Sequence, residues 1–302
     1  MSYVLRITFY VFSSAYLFWT RQFGFVTLFA RRLVVSRWRL FMEQPPSLPQ
    51  LQPEATPGTT MSLPARLLNV FAVPGEVFSE IKAKRPSTSN WLVPVLCFAI
   101  IGVISVFIIF SQPAILQQIR EQQTKVMDQQ VKAGKMTQAQ ADQALAMMEK
   151  FTGPTMMKIF GSVGIVVVSF VHVTWWGFIL WLLSRWMLKV SIPYPKALEV
   201  VGLAMMIGVL GAIVGMLLTV NLGRMGATPS LALVVNDFDA TRKSHLFLGA
   251  ANVFYFWQVG VTAVGLAKLA NVPFVRAAWL ILTYWFLQES LLILIGMGQF
   301  AL

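Results

Sequence analysis

Uncharged apolar runs bounded by basic or aromatic residues recur along this chain, and the most informative is residues 246–268, LFLGAANVFYFWQVGVTAVGLAK. It continues for 22 residues without a formal charge. At about 1.5 Å of rise per residue, a run of that length crosses a hydrocarbon layer of roughly 30 Å as a helix. Taken with comparable runs, it gives spans near residues 91–110, 159–183, 197–220, 246–267 and 277–298. The pattern predicts an all-α fold: a polytopic membrane helical bundle of five transmembrane helices, with amphipathic surface helices and an extramembrane helical hairpin.

The segments between the runs have patterns of their own. Ser62-Leu63-Pro64 is a helix-start signal and Pro74-Gly75 a break. Leu67, Leu68 and Phe71 fall on one side at helical spacing, as do Val77, Phe78 and Ile81. Two short amphipathic helices on the membrane surface are expected. Residues 111–158 are polar, Gln-rich and mixed in charge, and predict two helices joined at Ala133-Gly134-Lys135. The second opens on Thr137 with Gln140 three residues on, a capping-box pattern, and spaces Ala141, Leu145 and Met148 along one face.

Ahead of this membrane domain, residues 61–302, lie two stretches of different character. Residues 44–60 contain Pro45, Pro46, Pro49, Pro53 and Pro57 and read as an extended linker that buries no core. Residues 1–43 are apolar and aromatic, but hold Arg21 and then Arg31, Arg32, Arg37 and Arg39. Three readings of this leader stay open: a further span over residues 4–30, a basic helix lying flat in the interface, or a stretch upstream of a true start at Met61. A cleaved secretory signal fits less well, because Arg21 interrupts its apolar core.

Composition agrees with a membrane protein. The chain is 57% hydrophobic and 12% charged, with mean hydropathy +0.67, whereas about a quarter of a soluble domain is charged. A net charge of +12 would suit nucleic acid, but the basic residues flank apolar runs instead of clustering on a soluble face. The expected partner is therefore the lipid bilayer and no nucleic acid, with a membrane-protein partner or a homo-oligomer beside it. Cys97 is the single cysteine, so one chain makes no internal disulfide and no thiolate cluster. With the segment before Trp91 inside, the inner stretches hold nine Lys/Arg in about 50 residues. The outer loops hold nine in about 75, mostly in one long loop, which the positive-inside rule discounts. This places the amino side in the cytoplasm and the carboxyl end outside.

Few polar groups lie deep in the predicted spans. His172 falls near the middle of the second, Gln258 of the fourth and Glu289 of the fifth, and by helix rise these share one depth; Asn252 adds a polar group to the fourth. Such groups need partners on neighbouring helices, and ionisable ones are candidate functional residues. The layer could bind a proton or an ion. It could equally be helix-to-helix hydrogen bonding with a neutral Glu289, each bond contributing about 1 kcal/mol, and the lack of visible repeats favours this reading. In the third span Gly208, Gly211 and Gly215 form, with Ala204, a small-residue surface for close helix approach.

Asn236, Asp237 and Asp239 lack the glycine and closing glutamate of a calcium loop and read as solvated. His245 reads as interfacial, and the methionines as packing and not copper ligands. No Gly-rich phosphate loop, His-Glu zinc pattern or nucleophile elbow is present, so no metal, cofactor or catalytic residue is expected.

A resemblance rests on NVFAVPGEVFSEI ahead of the first span, on IREQQTKVMDQQ and KMTQAQADQALAMMEKF in the long first loop, and on NVFYFWQVGVTAVGLAKLA in the fourth span. With the five-span spacing, these make the chain from about residue 61 to residue 302 resemble the Yip domain family, named for Ypt/Rab-interacting proteins, and its bacterial branch most of all. The resemblance implies a multi-pass integral membrane protein with a cytoplasmic amino side and no shared catalytic residues. In eukaryotic relatives it implies vesicle traffic and Rab GTPase contact. This chain lacks the acidic-Leu-Tyr-Gly-Pro stretch that those relatives carry before their first span, so GTPase contact is not carried over.

The resulting expectation is a non-enzymatic integral membrane protein that organises membrane or partner proteins in a trafficking-like or scaffold role. The alternative is a small transporter or permease component using the polar layer of His172, Gln258 and Glu289. A membrane-embedded enzyme would need a nucleophile beside a base, or a metal cluster, and neither can be assembled from the sequence.

Overall fold

The computed structural model of the 302-residue chain describes residues 61–151, 153–235 and 242–296, so the readings made on residues 1–43, 44–60 and 236–239 lie outside the described residues. Among the described residues there are ten α-helices and no strand. Helices α1 (Leu63–Ala72) and α2 (Pro74–Ala83) precede α3 (Ser89–Ile109), and α4 (Pro113–Lys132) and α5 (Gln138–Phe151) lead into α6 (Pro154–Trp186). There follow α7 (Tyr194–Leu222), a short 3-10 turn (Leu231–Val234), α8 (Lys243–Ala250), α9 (Val253–Ala270) and α10 (Phe274–Leu294).

Helices α3, α6, α7, α9 and α10 are long and apolar enough to cross a membrane. Alternating crossings put α1, α2 and the α6–α7 and α9–α10 turns at one end, called here the amino side. The α4–α5 pair, α8 and the loop after α7 lie at the other.

Local chemistry sets the helix ends. Ser62 caps α1 by accepting from the Ala65 N–H, and Pro64 sits in the first turn, where its missing N–H costs nothing. Thr137 and Gln140 form the reciprocal capping box of α5: Thr137 N–H donates to Gln140 Oε1 at 2.9 Å and Gln140 N–H to Thr137 Oγ1 at 3.3 Å. The turn before it runs through Gly134 at φ 69°. Helices α4 and α5 thus form the hairpin that the Gln-rich loop predicts.

The fourth apolar run is divided. Asn252 Oδ1 accepts from Phe254 N–H, while Val253 N–H and Ala251 O bond to Pro229 and Leu231 of the preceding loop. The crossing helix α9 therefore begins at Val253 and not near residue 246, because Asn252 offers the backbone a cap where apolarity alone would continue the helix.

Helix α7 is the centre of the bundle. Half of its most apolar stretch (50%) is buried in protein, against 28% for α3, α6 and α10. Glycines set the closest approaches. A Cβ at Gly202 would fall on the Trp91 backbone of α3, one at Gly265 of α9 on Val200, and one at Gly177 of α6 on Leu198. Backbones come this near only where one side lacks a side chain. The remaining faces, such as Val163, Val167 and Val171 of α6 and Leu287 and Leu291 of α10, are exposed and apolar, as lipid contact requires. Helix α6 has 33 residues and so extends about 50 Å, longer than the roughly 30 Å of hydrocarbon. It must tilt or run past the acyl chains.

Candidate functional site

Helices α1 and α2 do more than lie on a surface. Val70, Val77, Phe78 and Ile81 are fully buried, and Phe78 reaches the space beside Gly265 of α9. The Phe71 ring meets Trp257, in the first half of α9, edge-on at 5.9 Å. The buried line of α1 is Leu67, Val70 and Phe71, three and four residues apart. Leu68 departs from the sequence expectation: it lies about 100° round the helix from Leu67 and is 70% exposed.

This docking carries a chain of charges. Lys84 pairs with Glu80 Oε1, and Glu80 accepts from Arg66 at 3.2 Å. Arg66 also donates to Asn90 Oδ1 at 3.0 Å. Asn90 donates through Nδ2 to Glu199 Oε1 at 2.7 Å, where Ser87 N–H donates at 2.8 Å. Lys196 Nζ lies 2.7 Å from Glu199 Oε2. That approach is outside hydrogen-bond geometry, so the contact is electrostatic, and the directed bonds to Glu199 come from Ser87 and Asn90. Lys196 donates its own bond to Ile81 O at 2.6 Å.

Four helices, α1, α2, α3 and α7, are joined in this way. Glu199 is only 1% exposed, and a buried charge persists only when paired and hydrogen-bonded. At the rim, burial pushes the Glu80 carboxyl up, but Lys84 and Arg66 outweigh it and hold the group below its ordinary value.

The residues singled out from sequence are placed differently. Gln258 packs against Gly208, where a Cβ would stand 3.0 Å from its Oε1. Phe254 takes the corresponding place at Gly211, while Gly215 has ordinary contact with Thr228 at 3.8 Å. Glu289 is buried, its Oε2 has no hydrogen-bond partner among the described residues, and it lies within electrostatic reach of Tyr255 on α9. His172 faces Trp176 at 6.4 Å between rings. Asn252 is the cap of α9, at the end of the helix.

The polar contact that joins α6 to α10 uses Gln288 instead. Its Oε1 accepts from Trp175 Nε1 at 3.1 Å and from Tyr284 Oη at 2.8 Å. No group of three or more metal-ligating side chains is found among the described residues.

Sequence reasoning missed Arg66, Glu80, Asn90, Lys196 and Glu199 as one site. The available signal was Lys196 and Glu199 three residues apart at the head of an otherwise uncharged span, a spacing that places both on one helix face. Gly202 and Gly265, which set tighter approaches than the three glycines chosen, carried no comparable mark.

Five apolar crossings, α7 the most buried of them, with a charged lock at one end and a polar hairpin at the other, define a polytopic α-helical integral membrane protein. The family model of the Yip1 domain matches residues 68–297, from within α1 to just past α10, and the chain belongs to that family. No curated protein and no solved structure matches the chain.

Proposed function

We propose that this protein is a non-enzymatic membrane scaffold whose α4–α5 hairpin, held in a fixed place by the bundle, engages a membrane-protein partner or a second copy of the chain. One observation carries the reading. Gln118 donates to Gly223 O at 2.5 Å and accepts from Met225 N–H at 3.0 Å, clamping the root of α4 to the loop after α7. Ile115 and Ile119 are buried beside it, whereas beyond the clamp Arg120, Glu121, Lys125, Asp128 and Gln129 stand exposed. A hairpin anchored at its base and bare along its length is built to present a surface. The exposed cations Arg85, Arg185, Lys189, Lys268 and Arg276 at the amino side support a cytoplasmic amino side and an outer hairpin.

Photo-crosslinkers at Lys125 and Gln129, with Leu291 of α10 as the lipid-facing control, test this in native membranes. Discrete protein adducts from the hairpin positions alone are expected. Adducts no more frequent than at Leu291 would count against the scaffold.

A second reading, a permease component, is favoured by Glu289 Oε2, buried and without a hydrogen-bond partner among the described residues, next to Tyr255. It requires ion flux in vesicles holding the purified chain, and loss of that flux in Glu289→Gln.

A further inference from the structure

The α6–α7 turn departs from the way this chain closes its other helices. Helix α7 ends on Gly223 and α9 on Asn271, both left-handed, at φ 56° and 53°, and these residue types tolerate that region. After α6 the left-handed position, φ 59°, is held by Lys189. It sits between Leu188, whose N–H donates to Leu183 O, and Val190, whose N–H donates to Ser184 O. A lysine there strains the backbone, and such strain persists where the side chain is needed for something other than the turn.

Its surroundings suggest what that is. Arg185 is held 5.8 Å from the Trp181 ring, and Trp186 and Met187 are exposed to 65% and 55%. Trp176 stacks edge-on with Tyr284 and Trp175 bonds to Gln288, so α6 and α10 touch through these side chains. The end of α6 and the start of α10 both lie at the amino side. There Phe274, Arg276 and Trp279 are exposed. Residues 184–198 and 270–288 contain no acidic residue. Arg185, Lys189 and Arg276 form no ion pair among the described residues.

We infer that Arg185 and Lys189 form a headgroup site for an anionic phospholipid, and that Trp186 between them seats its upper acyl region. Guanidinium groups grip phosphate through paired N–H donors, and exposed tryptophans settle at the headgroup level. The site stands independently of the scaffold reading.

The test uses the full chain in non-ionic detergent, titrated separately with dioleoylphosphatidylglycerol and dioleoylphosphatidylcholine. Bound lipid is counted by native mass spectrometry and Tm is followed in parallel. Phosphatidylglycerol binds more tightly. Lys189→Asn, which gives α6 the ending α9 already has, weakens that binding about fivefold, leaves phosphatidylcholine unchanged and does not lower Tm. Arg185→Gln acts on phosphatidylglycerol in the same direction. Arg85→Gln, at an exposed cation outside the α6–α7 turn, has a smaller effect, and inorganic phosphate does not displace the lipid.

Equal binding of the two lipids, or unchanged phosphatidylglycerol binding in both turn variants, overturns the site. So does an equal loss in Arg85→Gln, which means a diffuse basic surface, or displacement by inorganic phosphate, which means a soluble-anion site. A fall in Tm for Lys189→Asn overturns it as well, because Lys189 would then be kept for the fold.

Discussion

At the amino-side end of the bundle four helices pool their charges, with Arg66, Glu80, Asn90, Lys196 and Glu199 meeting within hydrogen-bond or ion-pair distance. Of the residues expected to form a polar layer, His172, Gln258 and Glu289, each meets a different neighbour: Trp176, Gly208 and Tyr255. Both regions are low in dielectric, so an unpaired charge is costly in either. The first meets the cost by convergence. In the second, packing against apolar or aromatic neighbours surrounds the polar groups. Residues at one depth in a membrane do not constitute a site unless rotation about each helix axis also turns them toward one another.

The largest effect should come from the converged region. Glu199→Ala leaves Lys196 buried without its counter-charge and strips Ser87 N–H and Asn90 of their acceptor, so it should cost about 3–5 kcal/mol, read as a lowered Tm in detergent. Replacing Lys196 and Glu199 together by Met should recover part of that loss. If the double variant were no better than Glu199→Ala, the lock would owe its stability to the neutral hydrogen bonds and not to the ion pair.

Next is the central glycine. Gly202→Ala drives a methyl into the Trp91 backbone and should cost about 1–3 kcal/mol, whereas Gly215→Ala, with 3.8 Å to Thr228, should be nearly silent in the same melting experiment. Equal shifts would mean that α3 can retreat from α7 freely.

A pH dependence sharpens the contrast. The folded-state pKa of Glu80 is held below its ordinary 4.5, so its ion pairs contribute stability above that value, and the contribution is lost as pH falls through the depressed folded value. Acidification below pH 4.5 should lower Tm in the parent, and Glu80→Gln should remove part of that slope. A parallel curve for the variant would show that Glu80 adds nothing to acid sensitivity.

The smallest effect belongs to the dispersed region. Glu289→Gln keeps shape and hydrogen-bonding capacity and should change stability by no more than about 1 kcal/mol. A large loss would reveal a partner for Glu289 that Tyr255 proximity does not account for.

Much of this architecture could be read along the chain. Five crossings follow from uncharged length, a property of consecutive residues. The α4–α5 hairpin follows from Gly134 and the Thr137–Gln140 box, whose partners are three residues apart. The Asn252 cap was written equally locally, but the apolar run around it concealed the break. Asn90 and Glu199 are separated by more than a hundred residues, and a lone polar residue near a helix end looks the same whether it faces water or a buried carboxylate. The small-residue pattern likewise pointed to Gly215, whereas the closest approaches fall at Gly202 and Gly265.

The sequence by itself determined how many helices cross and where most of them start and stop, because hydrophobic transfer and capping act over one helix or one turn. Only the tertiary structure decided that α7 lies at the centre and that α1 and α2 dock through Glu199. Those outcomes depend on the rotation of each helix about its axis. Packing against several neighbours at once fixes that rotation, and no single segment encodes it.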